Sequence, residues 1–112
     1  MNKKIPIKIK KDKYRKKRGN FSKILLLKCK QCKNKIGYYQ KDGDGWLKRL
    51  YLDRLNLLPN PKPPKFIKEE YLTCQKCKNK FAKAIIYEKE NRKAFELLKD
   101  TLIKIKIFQD DQ

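Results

Sequence analysis

All four cysteines of this chain fall in two nearly identical heptads, CKQCKNK at 29–35 and CQKCKNK at 74–80, and the chain has no histidine. Two thiolates two residues apart can face one ion when the backbone between them turns back and aims its N–H groups at the sulfurs. One such knuckle supplies two ligands, and structural Zn²⁺ takes four. The doubled heptad therefore reads as two halves of one tetrahedral site made by Cys29, Cys32, Cys74 and Cys77. Residues 33–73, 41 in all, separate the pairs. That is more than the usual gap of about 15–20 between zinc-binding pairs, so an insertion of about residues 41–66 is expected. The competing chemistries for paired cysteines are a redox pair, an iron–sulfur centre and disulfides. Asn34 and Asn79, two places beyond each pair, are expected to take the left-handed backbone that closes a knuckle.

Other chemistry lacks its reagents. Without histidine, and with Ser22 the only serine, Ser-His and Cys-His nucleophilic arrangements are excluded by inventory. Asp42 and Asp44 lie in a DGDG turn and read as turn carboxylates rather than as a grip for a divalent ion. Four thiolates around zinc leave no open coordination position. The expectation is a binding protein and no enzyme.

The two knuckles and their flanks resemble the zinc-ribbon superfamily, in which knuckles on hairpin tips clasp one zinc, and the resemblance extends over residues 21–108. It implies a small, mostly β zinc-ribbon domain. It also implies work on nucleic acid or in a ribonucleoprotein, because such ribbons are common in ribosomal proteins and in the transcription apparatus.

Charge points the same way. The formal net charge is +20. Residues 1–20 hold Lys3, Lys4, Lys8, Lys10, Lys11, Lys13, Arg15, Lys16, Lys17 and Arg18 against one acid, Asp12. So dense a charge with so little apolar surface reads as a flexible, disordered basic arm that adds salt-sensitive, sequence-independent affinity for a polyanion. In the middle of the chain, aromatic side chains alternate with cations around Lys41, Trp46, Lys48, Arg49 and Arg54, the composition of a surface that stacks on unpaired bases. The expected partner is RNA, foremost rRNA in a ribosomal or ribosome-associated role, together with other proteins of that assembly. The alternatives are a transcription-linked ribbon binding DNA or RNA polymerase, and an electron carrier with iron on the same cysteines. No small-molecule substrate is expected. No apolar run approaches the roughly 18 residues that span a bilayer, and none reads as a signal peptide, so the expectation is no membrane partner and a cytoplasmic location, where paired cysteines favour metal over disulfide.

The elements that must position these residues follow from pattern. FSKILLLKC and KIGYYQK read as a hairpin with the first knuckle at its tip. WLKRLYLDRLNLL fits a helical stripe or a strand face, with a lean towards strand. Four prolines at 59–65 make an extended linker. After the second knuckle, KFAKAIIY reads as strand, 89–92 as a polar turn, and 92–101 as strand or short helix. LIKIKIF at 102–108 reads as a last strand with Ile103, Ile105 and Ile107 inward and Lys104 and Lys106 outward.

Overall fold

Apolar side chains recur through residues 22–29 and 35–42, and both segments are strands in the computed structural model, which describes residues 7–58 and 67–110. β1 (Ser22–Cys29) and β2 (Lys35–Asp42) form the first hairpin. β3 (Arg49–Tyr51) and β4 (Leu55–Leu57) follow, joined by a 3-10 turn at Leu52–Arg54. β5 (Tyr71–Thr73) and β6 (Lys80–Tyr87) form the second knuckle hairpin. β7 (Arg92–Leu97) and β8 (Leu102–Asp110) complete the chain. The strands make two antiparallel sheets, ordered β4-β2-β1-β8 and β3-β7-β6-β5. The small β-rich domain expected from the pattern is present, with one short helix, α1 (Lys13–Lys17).

The two sheets bury one core. Leu25, Leu27, Tyr39 and Leu55 of the first sheet join Leu50, Leu72, Ala82 and Phe95 of the second, with Cys29 and Cys74 at one end. Each fully buried Leu or Phe contributes about 1.5–3 kcal/mol. Both knuckle hairpins carry a bulge at the same place. Leu27 pairs with Gly37 but Lys28 with Lys35, leaving Ile36 extra; Leu72 pairs with Ala82 but Thr73 with Lys80, leaving Phe81 extra. Ile36 and Phe81 are both buried in the core, so the repeated heptad continues into a repeated packing device. Gly37 lets β4 approach β2: a Cβ there would collide with the Asn56 carbonyl oxygen.

The segment between the knuckles is less an insertion than a strap. β3 pairs with β7 in one sheet and β4 with β2 in the other. The Tyr51 N–H donates to the buried Tyr39 hydroxyl at 2.9 Å, tying the sheets across the core. The lean towards strand holds, but the stretch is two three-residue strands in different sheets. The proline-rich linker falls on residues 59–66, outside the described residues. Residues 92–97 are strand, not helix.

Two expectations are corrected. Ile105 is 41 % exposed and pairs with Leu26, whereas Lys104 pairs with the buried Leu27. Direct cross-strand partners share a face, so Ile105 does not lie inward as expected, although Lys104 and Lys106 are exposed as expected and Ile103 and Ile107 are half-buried. Leu102, buried beside Cys29, sets the inward parity, and the lysines emerge because β8 is an edge strand.

Residues 7–20, the greater part of the expected arm, lie packed on the domain. Ile7 is buried, and Arg15 is 1 % exposed. The Gln40 amide bridges the Lys10 backbone in both directions, at 2.7 and 2.8 Å, and so lays the segment across β2. Asp12 caps α1 by accepting from the Tyr14 and Arg15 N–H groups and pairs with Arg54 at 2.5 Å. Arg15 donates to Ser22, Asn20 and Asp110. Arg18 and Arg92 both meet Glu90 at 3.0 Å, and the Arg92 guanidinium is sandwiched between the Tyr14 and Tyr51 rings at 3.9 and 3.8 Å. The segment is held by hydrogen bonds and ion pairs rather than by apolar burial, which is why its composition reads as unfoldable.

Candidate metal centre and basic groove

The two knuckles are built alike. The Cys29 N–H donates to the Asn34 carbonyl at 2.9 Å and the Lys33 N–H to the Cys29 carbonyl at 2.8 Å; Cys74, Asn79 and Lys78 repeat both bonds at the same distances. The left-handed residues are Lys33 and Lys78, each at φ 66°, one place before the asparagines expected to take that role. The turn closes directly after the second cysteine of each pair, and the asparagines supply the closing carbonyls. Asn34 does more: its side-chain amide donates to the Cys74 sulfur of the opposite knuckle at 3.9 Å. Its identity in both heptads marked the position, although not this contact.

The hairpins bring the tips face to face. Sγ of Cys29 lies 3.6 Å from that of Cys77, and Cys32 lies 3.5 Å from Cys74. All four sulfurs fall within 4.8 Å of one another. A tetrahedral metal at about 2.3 Å from each sulfur sets them about 3.8 Å apart, so the four cysteines could hold one metal ion. They are free thiols, with Cys29 and Cys74 buried and Cys32 and Cys77 half-buried. Burial works against a Cys74 thiolate, but the backbone N–H groups of Cys77 and Lys76 and the neighbouring thiols outweigh it and draw the group down to about 6. At Cys77 the Asn79 N–H favours the thiolate, yet burial and the three surrounding thiols push it up to about 11. Of these two thiols, Cys74 thus gives up its proton the more readily, and a cation in the site would favour the thiolate of both.

A second constellation lies at the DGDG turn. Gly43 has φ +74°, and a Cβ there would collide with the Arg18 carbonyl. Its N–H donates to the Phe21 carbonyl at 2.9 Å. Gly45 is also left-handed, at φ +104°. The turn projects Trp46, which is 87 % exposed. Beside it opens a groove of about 170 Å³ lined by Arg18, Lys41, Trp46, Lys48 and Arg49, with Asp42 and Asp44 at one side. Partial burial and the nearby Lys23 ammonium hold the Lys41 amine below its ordinary value.

The remaining candidate residues divide by surroundings. Lys3 and Lys4 lie outside the described residues. Lys8, Lys11, Lys13, Lys16 and Lys17 are exposed, and Lys10 is half-buried. Arg15 and Arg54, each 1 % exposed, are enclosed by their carboxylates and offer nothing to a ligand. Arg54 is ringed by Asp12, Asp42 and Asp53. The same contact occupies Asp42, whose other oxygen accepts from Ser22 and Gln40, so this carboxylate is structural. Arg18, expected as part of a basic arm, joins the groove because α1 docks.

No family model, curated protein or solved structure matches the chain. Among the described residues, no helix is long and apolar enough to cross a membrane. The four clustered cysteines in a β-rich fold are consistent with a zinc-ribbon-like site.

Proposed function

We propose that the chain is a zinc-ribbon protein that binds RNA, working as a component or associate of the ribosome. Four sulfur donors at tetrahedral spacing are the donor set of a structural zinc site, in which no coordination position is left for water or substrate. Bound there, zinc supplies a cross-link between the two hairpins. The residues around it do the rest: the bulges at Ile36 and Phe81 anchor the tips in the core, and backbone N–H groups stabilise the thiolates.

One observation carries the RNA half of the reading. Trp46 stands 87 % exposed on a turn fixed by two left-handed glycines, beside a groove rimmed by cations. A large aromatic side chain left in water at the mouth of a basic groove suits stacking on an unpaired base.

The test is to purify the protein at low salt, measure its metal by elemental analysis, and sediment it with ribosomes. The expected outcome is one zinc per chain and co-sedimentation released by salt. A coloured, iron-loaded protein would replace the ribbon with an electron carrier, and retention on RNA polymerase instead of ribosomes would move the reading to transcription.

A further inference from the structure

The groove at Trp46 shares part of its lining with a second one. Leu47 and Lys48 line both, and the second encloses about 380 Å³. Its lining combines the apolar Leu47, Leu97 and Leu102 with Lys30, Lys48, Lys99 and Lys104, four cations against the two carboxylates Glu96 and Asp100. Backbone hydrogen bonds fix its walls. The Leu97 N–H donates to the Lys48 carbonyl and the Lys30 N–H to the Thr101 carbonyl, both at 3.0 Å. The first ties the Trp46 loop to β7, and the second ties the first knuckle to the turn between β7 and β8. The two bonds hold together the segments that line the second groove, from the Trp46 loop to the first knuckle.

The lysines are available. Among the described residues, Lys48, Lys99 and Lys104 make no ion pair, while Lys30 sits 3.7 Å from an exposed Asp100 carboxylate, a contact worth little in water. Lys104 reaches the groove through the β8 register: it shares a face with the core residue Leu27 but stands on the open edge of the sheet.

We infer that the two grooves form one track for a single strand of RNA, with an unpaired base stacked on Trp46 and successive phosphates at Lys48, Lys99, Lys104 and Lys30. The inference rests on the RNA-binding reading and narrows it to a substrate class and a path. A duplex hides the base faces that Trp46 and the leucines of the lining would meet, whereas a single strand presents bases and phosphates together.

Two triple variants of the full chain test it: K48A/K99A/K104A on the track, and K68A/K83A/K89A, which removes the same charge from exposed sites elsewhere. The probes are an oligouridylate of roughly twelve nucleotides, within the usual single-strand site range, and the same strand annealed to oligoadenylate. The track variant should weaken oligouridylate binding about tenfold more than the control variant, and lower the salt slope by about 2, from three contacts at about 0.7 each. The unaltered protein should favour the single strand. Equal losses in both triples would overturn the track and leave RNA binding standing as diffuse attraction. Duplex bound as tightly as single strand would also overturn it. No binding of either probe by the unaltered protein would overturn both the track and the RNA reading.

Discussion

Trp46 is the residue whose role can be separated most cleanly from folding. A side chain 87 % exposed contributes little to the core, so Trp46→Ala should change stability by no more than about 0.5 kcal/mol. If the ring stacks on a base, the same change should weaken RNA binding by about 1–3 kcal/mol. Thermal melting and a binding isotherm on the one variant decide it, and a large melting loss with undiminished RNA affinity would remove Trp46 from the site. Gly43 is the opposite case. Its φ of +74° and the Arg18 carbonyl in the way of any Cβ make Gly43→Ala a strained change, costing about 1–3 kcal/mol. That loss should appear as a lower denaturation midpoint while Gly45→Ala, with open space around it, loses only the backbone part. Equal midpoints for the two variants would mean that the turn does not pack on Arg18 in solution.

The elements were legible to different depths, for physical reasons. β1, β2 and β6 announce themselves because apolar alternation and paired knuckles give both strand and hairpin. The β3–β4 strap does not, because two three-residue strands joined by a 3-10 turn satisfy neither period for long enough. In composition, α1 and the segment before it are a sum of like charges. Their actual partners are Glu90 and Asp110, far along the chain, with Asp12 taken by Arg54, and no local pattern shows that pairing. The docking of this segment is testable through Arg15, which is 1 % exposed and bonded to Ser22, Asn20 and Asp110. Arg15→Ala should cost about 3 kcal/mol or more, as breaking a buried ion pair does. The neighbouring exposed Lys16→Ala should stay within about 0.5 kcal/mol. Similar denaturant midpoints for the two would show that residues 7–20 are not docked.

For the whole molecule, the ion-pair network changes both the outward field and the response to acid. Asp12, Asp42, Asp53, Glu90 and Asp110 all engage arginines, so much of the negative charge is compensated inside while lysines face outward. Burial opposes ionisation of Glu90, but hydrogen bonds and charge from Arg18 and Arg92 win and hold it below the ordinary carboxylate value. Asp12 is lowered in the same way: burial is outweighed by Arg54 and by the Arg15 and Tyr14 N–H groups. A carboxylate with a depressed folded value contributes stability above its unfolded value, near about 4, and that contribution is lost as pH falls through the folded value. Unfolding free energy should therefore rise with pH across this window, because the unfolded chain binds more protons there. Acid also protonates the thiolates of the cysteine centre, so the slope of the unaltered protein alone does not isolate the network. Glu90→Gln does, since its cysteine centre is the same. Compared with the unaltered protein, this variant should be less stable at pH 7 and should lose less further stability between about pH 5 and pH 3, the interval in which depressed carboxylates are protonated. Denaturant midpoints measured across that interval give both quantities. Parallel curves would assign the acid sensitivity to Asp12 and the other groups of the molecule and leave Glu90 without a part in holding the N-terminal segment to the sheets.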